Sequence, residues 1–86
     1  MSRIYRYKVP VDDRFHEFAL SGHVLSVGCR DIDTMEFWAL ETDGPTVQRA
    51  FTVVGTGHEM PPGTKHVGTA VAPGGVLVWH LVEATP

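Results

Sequence analysis

Short runs of β-branched and aromatic residues, most of them closed by glycine or proline, restrict how this chain can fold more than any other feature. The last third shows the pattern best. Apolar runs at 51–55, 67–71 and 76–83 are separated by Gly- and Pro-containing segments at 56–64 and 72–75. Runs of this length between turn signals are typical of β-strands. The last two runs predict a hairpin, and no window of ten residues carries a helical period.

The same pattern along the whole chain indicates the fold class. The predicted strands cover residues 3–9, 15–20, 24–29, 35–41, 47–55, 67–71 and 76–83. Six or seven short strands at even spacing indicate an all-β fold, a small antiparallel sandwich or barrel-like roll. At most one helical turn is expected, at 12–18, where Asp12 or Asp13 would cap it. A chain of 86 residues makes one domain, covering residues 1–86.

Large apolar side chains on these strands are the predicted core. They are Phe37, Trp38, Leu40, Phe51, Leu77, Trp79 and Leu81. Both tryptophans are expected to be largely buried, each with a hydrogen-bond partner for its indole N–H. Alternation over 24–29 places Leu25, Val27 and Cys29 on one apolar face. The thiol is therefore expected to behave as a small buried hydrophobe rather than as a nucleophile.

Composition and charge exclude several functions. Seven basic residues against ten acidic ones give a net charge of −3, which argues against recruitment by nucleic acid or by an anionic membrane. A single cysteine allows neither an intrachain disulfide nor a four-cysteine zinc site, and the lack of bridges in a small domain favours a reducing compartment. The first residues show no signal-peptide pattern, and no apolar run is long enough to span a bilayer. We therefore expect a cytoplasmic protein with no membrane partner.

The histidines are the side chains best suited to bind a metal. If the last hairpin pairs Thr69 with Trp79, then His66 and His80 lie on the same face, whereas a shift of one residue would place them on opposite faces. His58 and Glu59 precede this hairpin and would complete a zinc ligand set. No HExxH or HxH pair fixes such a site, so we predict no metal and no cofactor. His58, His66 and His80 are the ligands if a metal binds, and the competing interpretation is that they are hydrogen-bonded structural residues.

No set of residues predicts catalysis. The segment Gly55–Thr56–Gly57–His58 lacks the phosphate-binding pattern GxxxxGKS and runs into two prolines, so it is expected to form a turn. The overlapping tripeptide Val-Gly-Thr at 54–56 recurs at 67–69, which predicts two strands with similar Gly-Thr chemistry at their ends. No catalytic residue and no enzymatic activity are predicted.

The first predicted strand interleaves basic and aromatic residues. Arg3, Arg6 and Lys8 alternate with tyrosines, a pattern that also occurs in surfaces that stack on bases. Because the whole chain is acidic, we favour a different interpretation, in which the charges protect an exposed sheet edge. This edge and the Gly-His loop are the predicted binding surface. The candidate binding residues are Tyr5, Arg6, Tyr7, His58 and Glu59.

Segments spread over nearly the whole chain carry a family resemblance. They are 4–13, 24–28, 37–40, 54–58, 66–69 and 78–81. In these segments the chain resembles a family of small uncharacterised proteins, catalogued as a domain of unknown function, that bacteriophages and prophages encode, often those of actinobacteria. The resemblance implies a phage or prophage gene that acts inside an infected bacterium, and it implies no activity.

The expected function is that of a non-enzymatic accessory protein that binds another protein, either itself as a homodimer or a host factor. A small sheet offers edges and flat faces suited to such binding. Two alternatives remain open at this point. One is a structural or decoration component of the virion, and the other is a histidine-based metal-binding protein or hydrolase.

Overall fold

The computed structural model describes residues 1–86 and contains seven antiparallel strands in two sheets. The strands are β1 (Arg3–Pro10), β2 (His16–Leu20), β3 (Val24–Asp31), β4 (Thr34–Glu41), β5 (Val47–Gly55), β6 (Thr64–Val71) and β7 (Val78–Ala84). One sheet has the order β1-β4-β3 and the other β2-β5-β7-β6. This arrangement confirms the predicted all-β sandwich. No helix has the length and apolar character that a bilayer crossing needs.

The helical turn considered at 12–18 is not formed. Residues 11–13 make a bend instead, and β2 begins at His16. Asp13 has a φ of 60°, in the left-handed region, which a right-handed helical turn does not contain. The carboxylate of Asp12 closes the bend by bonding to His16 Nε2 at 2.9 Å and by accepting a hydrogen bond from the backbone N–H of Arg14 at 3.1 Å.

The core between the sheets is built around an aromatic cluster. Phe37 of β4 stacks on Tyr7 of β1 with ring centroids 5.0 Å apart, and Phe18 of β2 meets it edge-on at 5.4 Å. Phe51 of β5 lies 4.8 Å from the same ring. Rings at these separations attract one another beyond their area burial. Fully or nearly buried aliphatic neighbours complete the core: Val9, Leu20, Met35, Ala39, Val53 and Leu81.

Three of the predicted core residues are buried as expected, and the others are not. Phe37, Phe51 and Leu81 are completely buried. Trp38 and Leu40 are only half-buried, because the odd-numbered residues of β4 face the core and the even-numbered ones face away. Leu77 is exposed, because it lies in the turn before β7 rather than on the strand.

The tryptophans also differ from the prediction that both are largely buried. Trp38 lies across Gly28 on the outer surface of the three-stranded sheet, where a Cβ on Gly28 would be 3.1 Å from its ring. Trp79 is half-buried near the sandwich edge, and its indole N–H donates to the carbonyl of Ile32 at 2.9 Å. The predicted hydrogen-bond partner therefore exists for Trp79, whereas Trp38 has none within the protein.

Irregular pairing along β3 overturns the alternation predicted there. Its register against β4 shifts between Val24 and Ser26 and again between Gly28 and Asp31. Each extra residue moves the following side chains to the other face, so Val24 and Val27 pack on the core and Leu25 is 51% exposed. Cys29 is half-buried, and its thiol donates to the carbonyl of Asp31 at 3.0 Å. Burial, with the nearby carboxylates, raises the pKa of this thiol and disfavours the nucleophilic thiolate.

One side of the sandwich closes where β3 and β6 pack directly against each other. A Cβ on Gly68 of β6 would lie 2.6 and 2.9 Å from the γ-methyl groups of Val27. Only hydrogen at this position lets the two strands approach so closely.

We therefore expect Gly68→Ala to destabilise the protein by about 1–3 kcal/mol, the usual cost of overpacking. Urea denaturation of Gly68→Ala, Val27→Ala and the double variant measures the effect. Removing the methyl groups of Val27 makes room for the new one, so the double variant should lose clearly less than the two single losses combined. Strict additivity would contradict the proposed contact.

Two glutamates that the sequence pattern leaves on the surface are buried. Glu36 of β4 is 3% exposed, and both its oxygens accept hydrogen bonds from Arg30 at 2.7 Å. Glu83 of β7 is 6% exposed and accepts hydrogen bonds from Arg49 at 2.6 and 2.8 Å. These guanidinium bonds hold the pKa of each carboxyl below its ordinary value of 4.5.

The lowered pKa values of Glu36 and Glu83 make the free energy of unfolding depend on pH in the acid range. In the unfolded chain these carboxyls take up protons around their ordinary pKa, while in the folded protein they stay ionised to lower pH. Their contribution is therefore complete above the ordinary pKa and is lost as the pH falls through it toward the folded value. We expect the urea midpoint to fall between about pH 5 and about pH 3.

The variant Glu83→Gln should flatten this acid dependence and cost about 2 kcal/mol at neutral pH, the range for hydrogen bonds to charged groups. The exposed Glu17 serves as the control, because Glu17→Gln should leave both the midpoint and its slope unchanged. If the urea midpoint of Glu83→Gln depends on pH as strongly as that of the wild type, the Arg49–Glu83 pair does not cause the loss of stability in acid.

Candidate functional site

The outer face of the four-stranded sheet holds a cavity of about 220 Å³, formed where the β5–β6 loop folds back over the sheet. Its lining combines apolar side chains with histidines and a hydroxyl. The lining residues are Val54, Gly55, Thr56, Gly57, His58, Met60, His66, His80 and Val82. Val54 and Val82 point away from the sandwich core, yet both are buried. This burial shows that the loop covers a small second apolar layer.

Glycines and hydrogen bonds fix the course of this loop. Gly57 and Gly63 adopt positive φ angles of 88° and 71°, which favour glycine. The N–H of His58 donates to the carbonyl of Gly55 at 3.1 Å, forming the turn that was predicted there. At the far end, the N–H and hydroxyl of Thr85 both donate to the carbonyl of Gly63, at 2.7 and 2.8 Å. The loop is therefore held at both ends.

His66 and His80 lie on the same face of the sheet, with ring centroids 5.7 Å apart. His66 pairs with Val82, as the first of the two registers considered from sequence requires. Beyond a bulge between His66 and Gly68 the register has shifted by one residue, so that Thr69 pairs with His80. The expectation that such a shift separates the histidines is wrong here, because it assumed a ladder without bulges.

A continuous hydrogen-bonded chain joins the two histidines to two threonines. His66 Nε2 lies 2.8 Å from Thr69 Oγ1, which lies 2.8 Å from His80 Nδ1. His80 Nε2 lies 2.8 Å from Thr56 Oγ1, and that hydroxyl donates to the carbonyl of Val78 at 3.4 Å. We call these four residues, His66, Thr69, His80 and Thr56, the histidine–threonine chain.

This chain can hold an additional proton without losing a contact. In one neutral arrangement every group donates to the next, from His66 through Thr69 and His80 to Thr56. If His80 carries two protons, both of its nitrogens donate, and the hydroxyl of Thr69 turns to donate to His66 Nε2, which requires His66 to carry its own proton on Nδ1 instead. The arrangement therefore accommodates one positive charge with all its polar partners kept.

The threonines are the part of the site that histidine-based reasoning misses. Thr56 and Thr69 are the final residues of the two Val-Gly-Thr segments at 54–56 and 67–69. The structure places them on opposite sides of one imidazole, that of His80. The repeat was the available signal, and only the strand pairing shows that both copies contact the same histidine.

The zinc ligand set considered as an alternative from the sequence is only partly brought together. His58, His66 and His80 line one cavity, while Glu59 lines the neighbouring one with Asp13. No three His, Cys, Asp or Glu side chains are placed to hold a metal ion. Both nitrogens of His80 already bond to hydroxyl groups.

The candidate binding residues of β1 occupy different environments. Tyr7 packs against Phe37 in the core, and burial raises its pKa. Tyr5 is on the same side of the strand but 41% exposed. Arg6 lies on the outer face with its Nε 3.4 Å from Glu36. Tyr5 and Arg6 are thus accessible, whereas Tyr7 serves the core.

β1 is an edge strand, as predicted, and one of its sides has no neighbour. The N–H of Val11 bonds to Asp33 across the ladder to β4, so by alternation the odd-numbered residues of β1 form the bonds to β4. The backbone N–H groups of Ile4, Arg6 and Lys8 therefore point to the free side. Pro10, next in this series, has no N–H to offer.

A substitution of Thr69 tests the histidine–threonine chain. Thr69→Val keeps the shape and β-propensity of the side chain but removes the hydroxyl between the two imidazoles. We expect the imidazole nitrogen resonances of both His66 and His80 to shift in long-range ¹H–¹⁵N spectra, with little change in stability at this exposed position. Thr46→Val, which removes an exposed hydroxyl between β4 and β5, is the control and should leave them in place. Unchanged resonances in Thr69→Val would contradict the chain.

Comparison with known proteins places the chain in one family. The family described as Domain of unknown function (DUF7352) matches residues 1–86, so the chain belongs to that family. No curated protein and no solved structure matches it.

Proposed function

We propose that this member of the DUF7352 family is a non-enzymatic binding module that takes up an extended, acidic segment of another protein along β1. One observation carries the proposal. β1 is a long, regular, free edge strand that carries three cations and no carboxylate. An extended segment can add to such an edge through main-chain hydrogen bonds, and side chains then provide specificity.

The other edge strands are less suited to accept a guest strand. β3 and β6 both contain bulges, which interrupt the regular row of backbone groups and twist an edge away. β2 has only five residues. β1 pairs with β4 in unbroken register over eight residues, so its free side presents evenly spaced donors and acceptors.

Charge favours an acidic guest over a second copy of β1. Pairing β1 with its own copy would bring Arg3, Arg6 and Lys8 of each chain to one seam with no carboxylate from either strand. Like charges on facing strands are destabilising. Arg6 can turn from its 3.4 Å ion pair with Glu36 toward a guest without leaving that carboxylate unpaired, because Arg30 bonds to both of its oxygens.

The resemblance to phage and prophage proteins supports a host protein as the partner and the cytoplasm of an infected bacterium as the place of action. A homodimer and a virion component are the competing assignments. Sedimentation that shows a dimer, lost on blocking β1, would support the first. Stoichiometric amounts of the protein in purified particles would support the second.

A peptide in which glutamate alternates with valine is the direct probe of the edge. We expect it to bind the full chain in fluorescence anisotropy, with an affinity that falls as salt rises. The variant Ile4→Pro removes a free-side N–H without touching the ladder to β4 and should weaken binding at least about tenfold. A peptide that alternates lysine with valine should not bind.

Charge reversal provides the matched comparison. Lys8→Glu changes a cation of β1, and Arg14→Glu makes the same change of net charge in the loop after β1. Only Lys8→Glu should weaken binding of the acidic peptide. Equal effects of the two variants, or full binding by Ile4→Pro, would refute docking along β1.

A further inference from the structure

We propose that the cavity over the histidine–threonine chain binds a small organic anion, an apolar ring or short chain that carries one carboxylate. This site lies on the other sheet from β1 and is independent of the protein-binding surface. The inference rests on three properties of the cavity: its size, its apolar floor and the charge that its polar wall can hold.

Size limits the ligand to a single ring or its equivalent. The cavity measures about 220 Å³, larger than the roughly 150 Å³ cavity known to hold benzene but smaller than pockets for drug-sized molecules. A benzoate-sized molecule fits this volume, whereas a nucleotide or a peptide does not.

The floor is apolar. Val54 forms it, with the fully buried Val82 beside it, and Met60 of the covering loop lies among the lining residues. An unbranched thioether adapts to irregular shapes and makes favourable contacts with aromatic rings. The apolar part of the ligand therefore has an apolar surface to rest on, between the sheet and the loop.

The polar wall contains no permanently charged side chain, but its histidines can become positively charged by taking up a proton. Neither a carboxylate nor a lysine or arginine lines the cavity. Its ionisable neighbours are His58 from the loop, His66 from β6 and His80 from β7. Glu59 faces the adjacent cavity, and on the opposite face of the sheet Arg49 and Lys65 each form an ion pair with Glu83.

An anion fits this wall better than a cation or a neutral molecule. The histidine–threonine chain accepts one proton and loses none of its hydrogen bonds, so the charge opposite a carboxylate costs no polar contact. A metal ion would have to displace the threonine hydroxyls from His80. A neutral ligand would gain no attraction between opposite charges from a protonated histidine of the wall.

NMR titration of the ¹⁵N-labelled full chain with sodium benzoate tests the proposal. We expect saturable shifts at the amides of Thr56, Gly57, His66 and His80, with a Kd of about a millimolar, as for a ligand of this size. Affinity should rise about tenfold from about pH 8 to about pH 5.5, where histidine gains its proton. Benzyl alcohol, which has the ring without the charge, and acetate, which has the charge without the ring, should each bind at least tenfold more weakly.

Two variants distinguish binding of benzoate at the polar wall from nonspecific electrostatic attraction of benzoate to the protein. His80→Gln keeps hydrogen-bonding groups but cannot hold the proton, so it should weaken benzoate binding at least tenfold and remove the pH effect. His23→Gln changes an exposed histidine away from the cavity and should bind as the wild type does. Equal binding of benzyl alcohol and benzoate, shifts that do not saturate, or full binding by His80→Gln would each overturn the proposal.

Discussion

The contact of one phenylalanine with three aromatic rings determines how the rest of this sandwich is arranged. Phe37 of β4 touches Tyr7 of β1 in its own sheet and Phe18 and Phe51 in the other. Once this side chain faces inward, the alternation of β4 sends Glu36 and Trp38 outward. Burial of that carboxylate then requires Arg30, and its satisfaction by Arg30 leaves Arg6 available at the β1 edge. Core packing and the chemistry of the surface are thus linked through one strand.

The strands could be predicted because their signals are local. Glycine or proline ends most of the runs, the polar segment 31–34 ends the third, and the seven runs became seven strands with ends displaced by at most a few residues. The bulges could not be predicted, because an extra residue in a ladder is determined by the partner strand. The bulge in β3 exposes Leu25, which regular alternation placed on the apolar face. The bulge after His66 keeps His66 and His80 on one face, although the shifted register would separate them in a regular ladder. Burial of Glu36 and Glu83 escaped prediction for a similar reason, since their arginines are not adjacent in sequence.

The histidine cavity shows how far sequence reasoning reaches into a site. His58, His66 and His80 were identified together as candidate ligands, and they do line one cavity. Their arrangement depends on features without a local signature: a bulge, and a loop held at its far end by Thr85. Metal chemistry requires convergence on one point, whereas the structure distributes the imidazole nitrogens along a row of hydroxyl groups. His66 and His80 therefore belong to a hydrogen-bonded row of side chains, whereas their residue type suggested a metal site.

The proline at the end of β1 determines how long a guest strand can be. Pro10 withholds the N–H that would continue the row of outward donors, and at the other end β1 begins at Arg3, so Ile4 is the first donor of the row. Three donors remain, and the first and last are four residues, or about 13 Å, apart along the strand. A visiting segment is thereby limited to about half a dozen residues. The dimensions of this edge are those of a short linear motif rather than of a whole strand from a folded neighbour.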